Sequence, residues 1–298
     1  MSEENIKAQE ILQNACLASA VLEETDQEAV DHIVKCIAEA GFANRVKLAR
    51  MAHEETQMGV AEHKVLKNVL ATQMVYENIK DERTVGVIHE DKVSGITEVA
   101  QPLGPILAVI PVTNPTSTTM FKILIAIKTR NPVIISPHKR ATGCCAEAAR
   151  ICYEAALKAG APEYCIQWIT EGSRELTHEL MTHPHLALIL ATGGIGLVAA
   201  AYSSGTPALG VGPGNVPVFI ESSADISFAV ENVILSKTFD NGTICASEQA
   251  VVVEKHTAEE IKLEFERQGC CFLTAEEVEK VEKVAVLQDT GTMDPRVV

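Results

Sequence analysis

"PILAVIPVTNPTSTTMFKILIAIKTRNPVIIS", residues 105–136, places two short apolar runs on either side of an Asn-Pro corner and an amphipathic stretch. The flanking runs have strand length and β-branched content, whereas the segment between them carries apolar residues at spacings of three and four. A strand, a helix and a second strand in one span imply parallel strands joined by a crossover.

The same alternation extends outward. Further apolar runs are "GITEVA" (95–100), "CIQWI" (165–169), "LALILA" (186–191), "VPVFIE" (216–221) and "QAVVVEK" (249–255). Amphipathic segments lie between most of them, among them residues 140–160 and 224–237. The expected fold class is therefore α/β, a Rossmann-type parallel sheet covered on both faces. Ahead of it, residues 5–24, 25–42 and 59–81 carry helical periodicity, with Thr25, Gln27 and Glu28 a candidate capped start. Ligands of such sheets sit beyond the carboxyl ends of the strands, which directs attention to the loops that follow them.

Composition narrows the functional classes. With 298 residues, 47% of them hydrophobic, the chain can bury a sizeable core, and its size suggests two domains. A formal net charge of -15, with no run of Lys and Arg, argues against a general nucleic-acid binder and favours small-molecule partners. No uncharged apolar run reaches the ~18 residues of a membrane span, and the acidic start "MSEENIKAQEILQN" does not resemble a secretory leader. A cytoplasmic protein is expected. Nine cysteines, with the adjacent pairs Cys144-Cys145 and Cys270-Cys271 and no C-x-x-C, suit reduced thiols better than a disulfide framework or a metal site.

Four loops have the residues for chemistry. In "LALILATGGIGLVAAAYSSG" (186–205), a strand leads through Thr192, Gly193, Gly194 and Gly196 into a small-residue helix, whose free N–H groups suit a pyrophosphate. "GIGLVA" also fits the G-x-G-x-x-A dinucleotide pattern, with Glu221 at the end of a later strand as a candidate ribose ligand. The bland alternative is a tight strand-to-helix turn. The second loop, "ALGVGPGN" (208–215), carries Gly210, Gly212 and Gly214, which permit either close ligand approach or a simple turn. In the third, Asn114 precedes Pro115 after a strand, with residues 116–118 available as helix caps; it is either turn chemistry or an amide donor for an oxyanion. The fourth, "FDNGTICASEQ" (239–249), holds Cys245 among Asn241, Gly242, Thr243 and Ser247, a polar setting in which a thiolate nucleophile is credible. Cys16, Cys36, Cys152 and Cys165 read instead as small core hydrophobes.

Taken together, "TNPTS", "SPH", "ATGGIG", "AYSSG.PA.GVGPGN.PV" and "SKTFDNG.ICASEQ.VVV" resemble, in order and spacing, the CoA-acylating aldehyde dehydrogenases. The likeness is closest to the aldehyde dehydrogenase part of bifunctional aldehyde/alcohol dehydrogenases. It implies an aldehyde-dehydrogenase-like fold, with residues 1–240 a dinucleotide-binding domain with amino-terminal helices and residues 241–298 part of a catalytic α/β domain. It also implies that Cys245 attacks the aldehyde, that Asn114 and the cysteine's own N–H hold the oxyanion, that NAD takes the hydride, and that coenzyme A removes the acyl group.

For the cofactor, the resemblance implies the loop after "NPVIIS" with Ser136, Pro137 and His138, together with Thr113, Thr192, Gly193, Gly194, Gly196, Gly210 and Gly212. Glu221 loses its ribose role, because this family binds the dinucleotide differently from simple Rossmann proteins. Hydrolytic relatives carry a glutamate that activates water, and "ALGVGPGN" has no carboxylate there, which favours thiolysis. The substrate implied is a short-chain aldehyde, with acetaldehyde foremost, and homo-oligomers are a further expectation. The resemblance also implies a longer catalytic domain than these residues supply. On that basis the strand around residues 251–253 is expected to expose apolar surface, and a hydrolytic enzyme or a non-catalytic binding protein stands as the alternative.

Overall fold

The computed structural model describes residues 2–288; the closing stretch 289–298, most of "QDTGTMDPRVV", lies outside them. Five helices open the chain: α1 (Glu3–Glu23), α2 (Gln27–Ala43), α3 (Arg45–Thr56), α4 (Ala61–Val69) and α5 (Val75–Ile79), with a π-helical turn over Leu70–Met74 joining the last two. The start of α2 differs from the expected cap. Asp26, in extended conformation, accepts the Ala29 N–H, while the Thr25 hydroxyl turns back to donate to the Val21 carbonyl.

Next come β1 (Gly86–Asp91) and β2 (Ile96–Ala100), an antiparallel hairpin of their own. "GITEVA" is thus a strand but lies outside the parallel sheet, because the turn at residues 92–95 is too short for a crossover.

The sheet proper is built from β3 (Ile106–Ile110), β4 (Val133–Pro137), β5 (Ile166–Trp168), β6 (Leu188–Thr192) and β7 (Ala208–Val211), all parallel, in the order β5-β4-β3-β6-β7. Its crossovers are α6 (Pro115–Lys128), α7 (Thr142–Lys158), α8 (Arg174–Met181) and α9 (Ile195–Tyr202). Side chains alternate between the two faces, as the strand period requires. Ile106, Ala108, Ile110, Val133 and Ile135 join Ile33, Ile37, Ile123, Ile127 and Cys152 of α2, α6 and α7 in one core. Leu107, Val109, Ile134 and Ile189 join Leu12 of α1 and Leu176 and Leu180 of α8 in the other.

The chain divides into two compact units, one of residues 1–56 with 64–212 and one of residues 57–63 with those from Pro213 onward. The expected boundary between residues 240 and 241 falls inside the second unit. The reason is strand pairing: β8 (Val216–Ile220) pairs in parallel with β9 (Glu248–Val253), which ties everything from 216 onward to the later strand. The second unit adds α10 (Ile226–Thr238), α11 (Ala258–Arg267) and α12 (Ala275–Ala285), and its small core forms around Ile220, Val230 and Ile261. Among the described residues β9 pairs with β8 alone, and Val251 and Val252 are exposed, as expected for that strand. No helix among the described residues is long and apolar enough to cross a membrane.

Candidate active site

In the first unit the strand order reverses between β3 and β6, so the loops following these two strands flank the switch point where open α/β sheets bind ligands. Asn114 closes the β3 loop as the N-cap of α6, with Pro115 at the first helical position. An Asn in this position ordinarily accepts a first-turn N–H with its side chain, and here it makes no such cap. Instead, its Oδ1 accepts from Lys67 Nζ at 2.6 Å, and its Nδ2 donates to Thr113 Oγ1 at 3.0 Å. Lys64, one turn earlier on α4, donates from Nζ to the Thr113 carbonyl at 3.1 Å. The hydroxyl of Thr116 is drawn away in the same manner, donating to Asn68 Oδ1 rather than capping the helix. The turn-chemistry alternative for Asn114 therefore does not describe its side chain.

Sequence reasoning missed the two lysines. Both are buried, at 3% and 5% exposure, while Leu66, Leu70 and Met74 on the same helical segment face outward. The segment is inverted, polar side inward. Lys64, Lys67, Asn68 and Ala71 share one face by helical spacing, a pattern visible in "AEHKVLKNVLATQM" once the apolar stripe is not assumed to be the buried one.

The β4 loop places Ser136 at the buried carboxyl end of its strand, with Pro137 half-buried and His138 exposed after it. The His138 N–H donates to the Ile110 carbonyl, which holds this loop against β3. His138 Nδ1 accepts the Arg140 N–H, and partial desolvation of the otherwise exposed ring, with the Arg140 and Lys139 charges beside it, lowers the imidazole pKa below its ordinary value. The helix that follows, α7, has no side-chain cap of its own. Glu55 supplies one from α3, its carboxylate accepting the Gly143 and Cys144 N–H groups at 2.8 and 2.7 Å. An acid already occupies that helix end.

The β6 loop is different. Thr192 ends the strand, Gly194 is the N-cap of α9 without a side-chain cap, and a side-chain carbon built at Gly194 or Gly196 meets nothing within 4 Å. This helix start is uncapped and approachable, the arrangement that suits an anionic phosphate. Gly210 differs from these two, since a carbon there would lie 2.7 Å from Val198 and 2.8 Å from Tyr202; its smallness serves strand-to-helix packing. Gly212 stands just past β7 with Val198 4.0 Å away. Glu221 follows β8 in the other unit, and its carboxylate is occupied by Ser222 and Ser223, which lowers its pKa to about 2.

In the second unit Cys245 is exposed, in a turn just before β9. Ahead of it Asp240, Asn241 and Gly242 hold consecutive left-handed conformations, with φ of 52°, 55° and 71°. Asp and Asn tolerate that region best among residues other than glycine. Asp240 is fully buried and anchors the corner: its carboxylate accepts the Val60 N–H and the Thr243 hydroxyl, both at 2.6 Å, and its own N–H donates to His63 Nδ1 at 2.7 Å. His63 stacks on Phe239, ring centroids 4.6 Å apart. Gly59 completes the anchor. Its φ is +67°, and a side-chain carbon there would fall 2.2 Å from Asp240 Oδ1, so any other residue would strain the backbone and displace the buried carboxylate. Strained backbone of this kind persists only where its surroundings hold it, and it gathers at functional loops.

The remaining thiols are unlike Cys245. Cys152 and Cys165 are buried, and burial pushes each pKa up to about 12. Cys144 and Cys145 are buried too. Cys16 and Cys36, expected in the core, are only half-buried, because the faces of α1 and α2 that carry them lie at the edge of the packing. Cys271 is exposed, in the stretch after α11.

The parallel sheet, its switch point and the uncapped start of α9 define a Rossmann-type α/β protein. Residues 2–268 match the aldehyde dehydrogenase family, and the chain belongs to it. Within the family its relatives include acylating members. It is 49% identical over 260 residues to aldehyde-alcohol dehydrogenase 2 of Entamoeba histolytica, covering 87% of this chain and 30% of that protein. The crystal structure of an acetylating aldehyde dehydrogenase from Geobacillus thermoglucosidasius superposes with a TM-score of 0.92 at 48% identity, over 99% of this chain and 65% of that one. A propionaldehyde dehydrogenase of Rhodopseudomonas palustris, solved with bound CoA and an acylated cysteine, superposes with a TM-score of 0.83 at 27% identity, over 98% of this chain and 66% of that one. The family uses a nicotinamide cofactor.

Proposed function

We propose that this chain binds NAD and catalyses the reversible, CoA-acylating oxidation of a short-chain aldehyde, acetaldehyde foremost, through a thioester on Cys245. The observation that carries the reading is Cys245 itself, an exposed thiol on a turn whose anchor is buried and fully engaged. Two solved relatives support it, one an acetylating enzyme and the other captured with CoA and an acylated cysteine.

An aldehyde carbon has no leaving hydride until a nucleophile makes it tetrahedral. Addition of the Cys245 sulfur forms that carbon–sulfur bond and turns the carbonyl oxygen into an oxyanion. Asn114 and the Cys245 N–H are the donors assigned to that oxygen. The nicotinamide ring, when bound, supplies the hydride acceptor. Collapse of the oxyanion restores the carbonyl as a thioester, and the CoA thiol then adds and displaces the Cys245 sulfur. Thiol-to-thiol exchange leaves the acyl group activated, so the reaction runs in both directions. The absence of any carboxylate from residues 208–215 supports CoA over water as the acceptor.

The first unit fits the dinucleotide. The uncapped start of α9 with Gly194 and Gly196 suits the phosphates, and Ser136, Pro137 and His138 stand at the next strand end for the adenosine ribose. NAD is preferred over NADP because Arg140, the arginine nearest His138 in sequence, is committed to the Thr56 carbonyl at 2.7 Å. Exposed apolar residues along the β1–β2 hairpin, among them Val87, Ile96 and Val99, favour self-association, and the free thiols favour the cytoplasm.

The test is NADH formation by the purified chain with acetaldehyde and NAD, with and without CoA, and identification of the product. NADH that appears only with CoA, together with acetyl-CoA, is expected. Free acetate formed without CoA would replace this reading with a hydrolytic one, and tight NAD binding without turnover would replace it with a non-catalytic one. In the active protein Asn114→Ala should lower kcat by about 10²–10³-fold while the aldehyde KM changes little, since the lost hydrogen bond forms mainly in the transition state. A rise in KM at unchanged kcat would remove Asn114 from the oxyanion.

A further inference from the structure

We propose that Lys67 is a positioning residue that aims the Asn114 amide, so that one Nδ2 hydrogen is presented to the oxyanion. The proposal rests on the assignment of Asn114 to that oxyanion. Lys67 Nζ donates at 2.6 Å to the Asn114 carbonyl Oδ1. The contact therefore fixes which end of the carboxamide is which. Of the two Nδ2 hydrogens, one is given to Thr113 Oγ1, and one is left to donate.

Three observations make this more than a passing contact. Asn114 sits where its Oδ1 would ordinarily cap α6, and Lys67 takes that oxygen instead. Lys67 is buried to 5% exposure, where solvent competes weakly for the bond. Lys64, three residues earlier, fixes the Thr113 carbonyl at 3.1 Å, so one face of α4 holds the backbone and side chain of consecutive loop residues. A donor on the amide oxygen also draws electron density from the amide nitrogen. The N–H left to donate is thereby a better hydrogen-bond donor to a developing negative charge.

The experiment compares wild type, Lys67→Met, Lys67→Arg, Asn114→Ala and the Lys67→Met/Asn114→Ala double variant. The first readout is the Asn114 side-chain amide signal by ¹⁵N-resolved NMR, identified by its loss in Asn114→Ala. It should shift in Lys67→Met and stay near its wild-type position in Lys67→Arg, which keeps a donor in place. The second readout is turnover. Lys67→Met should lower kcat by about 10–100-fold with the aldehyde KM nearly constant, Lys67→Arg should recover most of it, and the double variant should be no slower than Asn114→Ala alone. Multiplying losses in the double variant, or an Asn114 signal indifferent to Lys67→Met, would overturn the proposal. If Asn114→Ala leaves turnover intact, the oxyanion assignment fails separately, and the amide signal still decides whether Lys67 orients the side chain. Should Lys67→Met fail to fold, the Lys67→Arg signal and rate carry the test: a fall in kcat while the Asn114 amide signal stays in place, with the fold intact by circular dichroism, would overturn the proposal.

Discussion

Cys245→Ala should abolish NADH formation, with a loss on the order of 10⁴-fold or more, while NAD binding stays intact. The size of the effect follows from the chemistry. Without the sulfur the substrate is never more than a planar aldehyde, or its hydrate at low occupancy, and no other residue replaces the nucleophile. The binding half of the prediction follows from the fold, because the strand ends and the α9 start assigned to the dinucleotide belong to a unit that does not include Cys245. A second measurement needs no turnover. Iodoacetamide should modify Cys245 and Cys271 of the folded protein first, since both are exposed, and leave Cys152 and Cys165 untouched, since burial holds their pKa near 12. Activity should disappear in step with modification of Cys245 and not of Cys271. A Cys245→Ala protein that still forms NADH would move the nucleophile elsewhere and with it the whole reading.

The fold was legible wherever local pattern and tertiary role coincide. β3, α6 and β4 follow from residues 105–136 because a buried parallel strand is a continuous apolar run and its crossover helix is amphipathic. "GITEVA" shows where that logic ends. Strand character is local, but the partner a strand chooses depends on the length of its connection, and the short turn at residues 92–95 commits it to a hairpin. The border between the units is hidden for a related reason. Nothing in "GVGPGNVPVFI" announces that β7 and β8 go to different sheets; that is decided by the pairing of β8 with β9, about thirty residues further on.

The candidate site was legible at its chemical groups and opaque at their supports. Cys245, Asn114 and the loop from Thr192 to Gly196 carry side-chain types and backbone freedom that announce themselves in a short window. Lys67, Lys64, Asp240 and Glu55 do not, because each acts on a residue far away in sequence. Asp240 is the plainest case. Its neighbours make "FDNG" read as a surface turn, yet the carboxylate is fully buried on a segment some 180 residues earlier, the separation of Val60 and Asp240. Buried polar groups of this kind must be satisfied, so their partners are dictated by the fold and not by the adjoining sequence.

Lys122 should make the folded chain lose stability as the pH falls from about 10 toward 7, and Lys122→Met should remove that dependence. The side chain is buried at 4% exposure on α6, and Nζ donates to the Val109 and Leu190 carbonyls of β3 and β6 at 2.8 and 2.7 Å. Both acceptors are carbonyls, and a neutral amine has two hydrogens, one for each. Desolvation accordingly lowers the pKa from 10.5 to about 7. Between those values the unfolded chain holds a proton that the native chain lacks, so native stability rises with pH by up to about 1.4 kcal/mol per unit and is flat below the folded pKa. From about pH 7.5 to about pH 9.5, urea unfolding should show wild type gaining about 2–3 kcal/mol on Lys122→Met. Taking the difference between the two proteins cancels the thiols that titrate over the same range. Parallel stability curves would mean that Lys122 keeps its proton in the folded state, with the two carbonyl dipoles outweighing its desolvation.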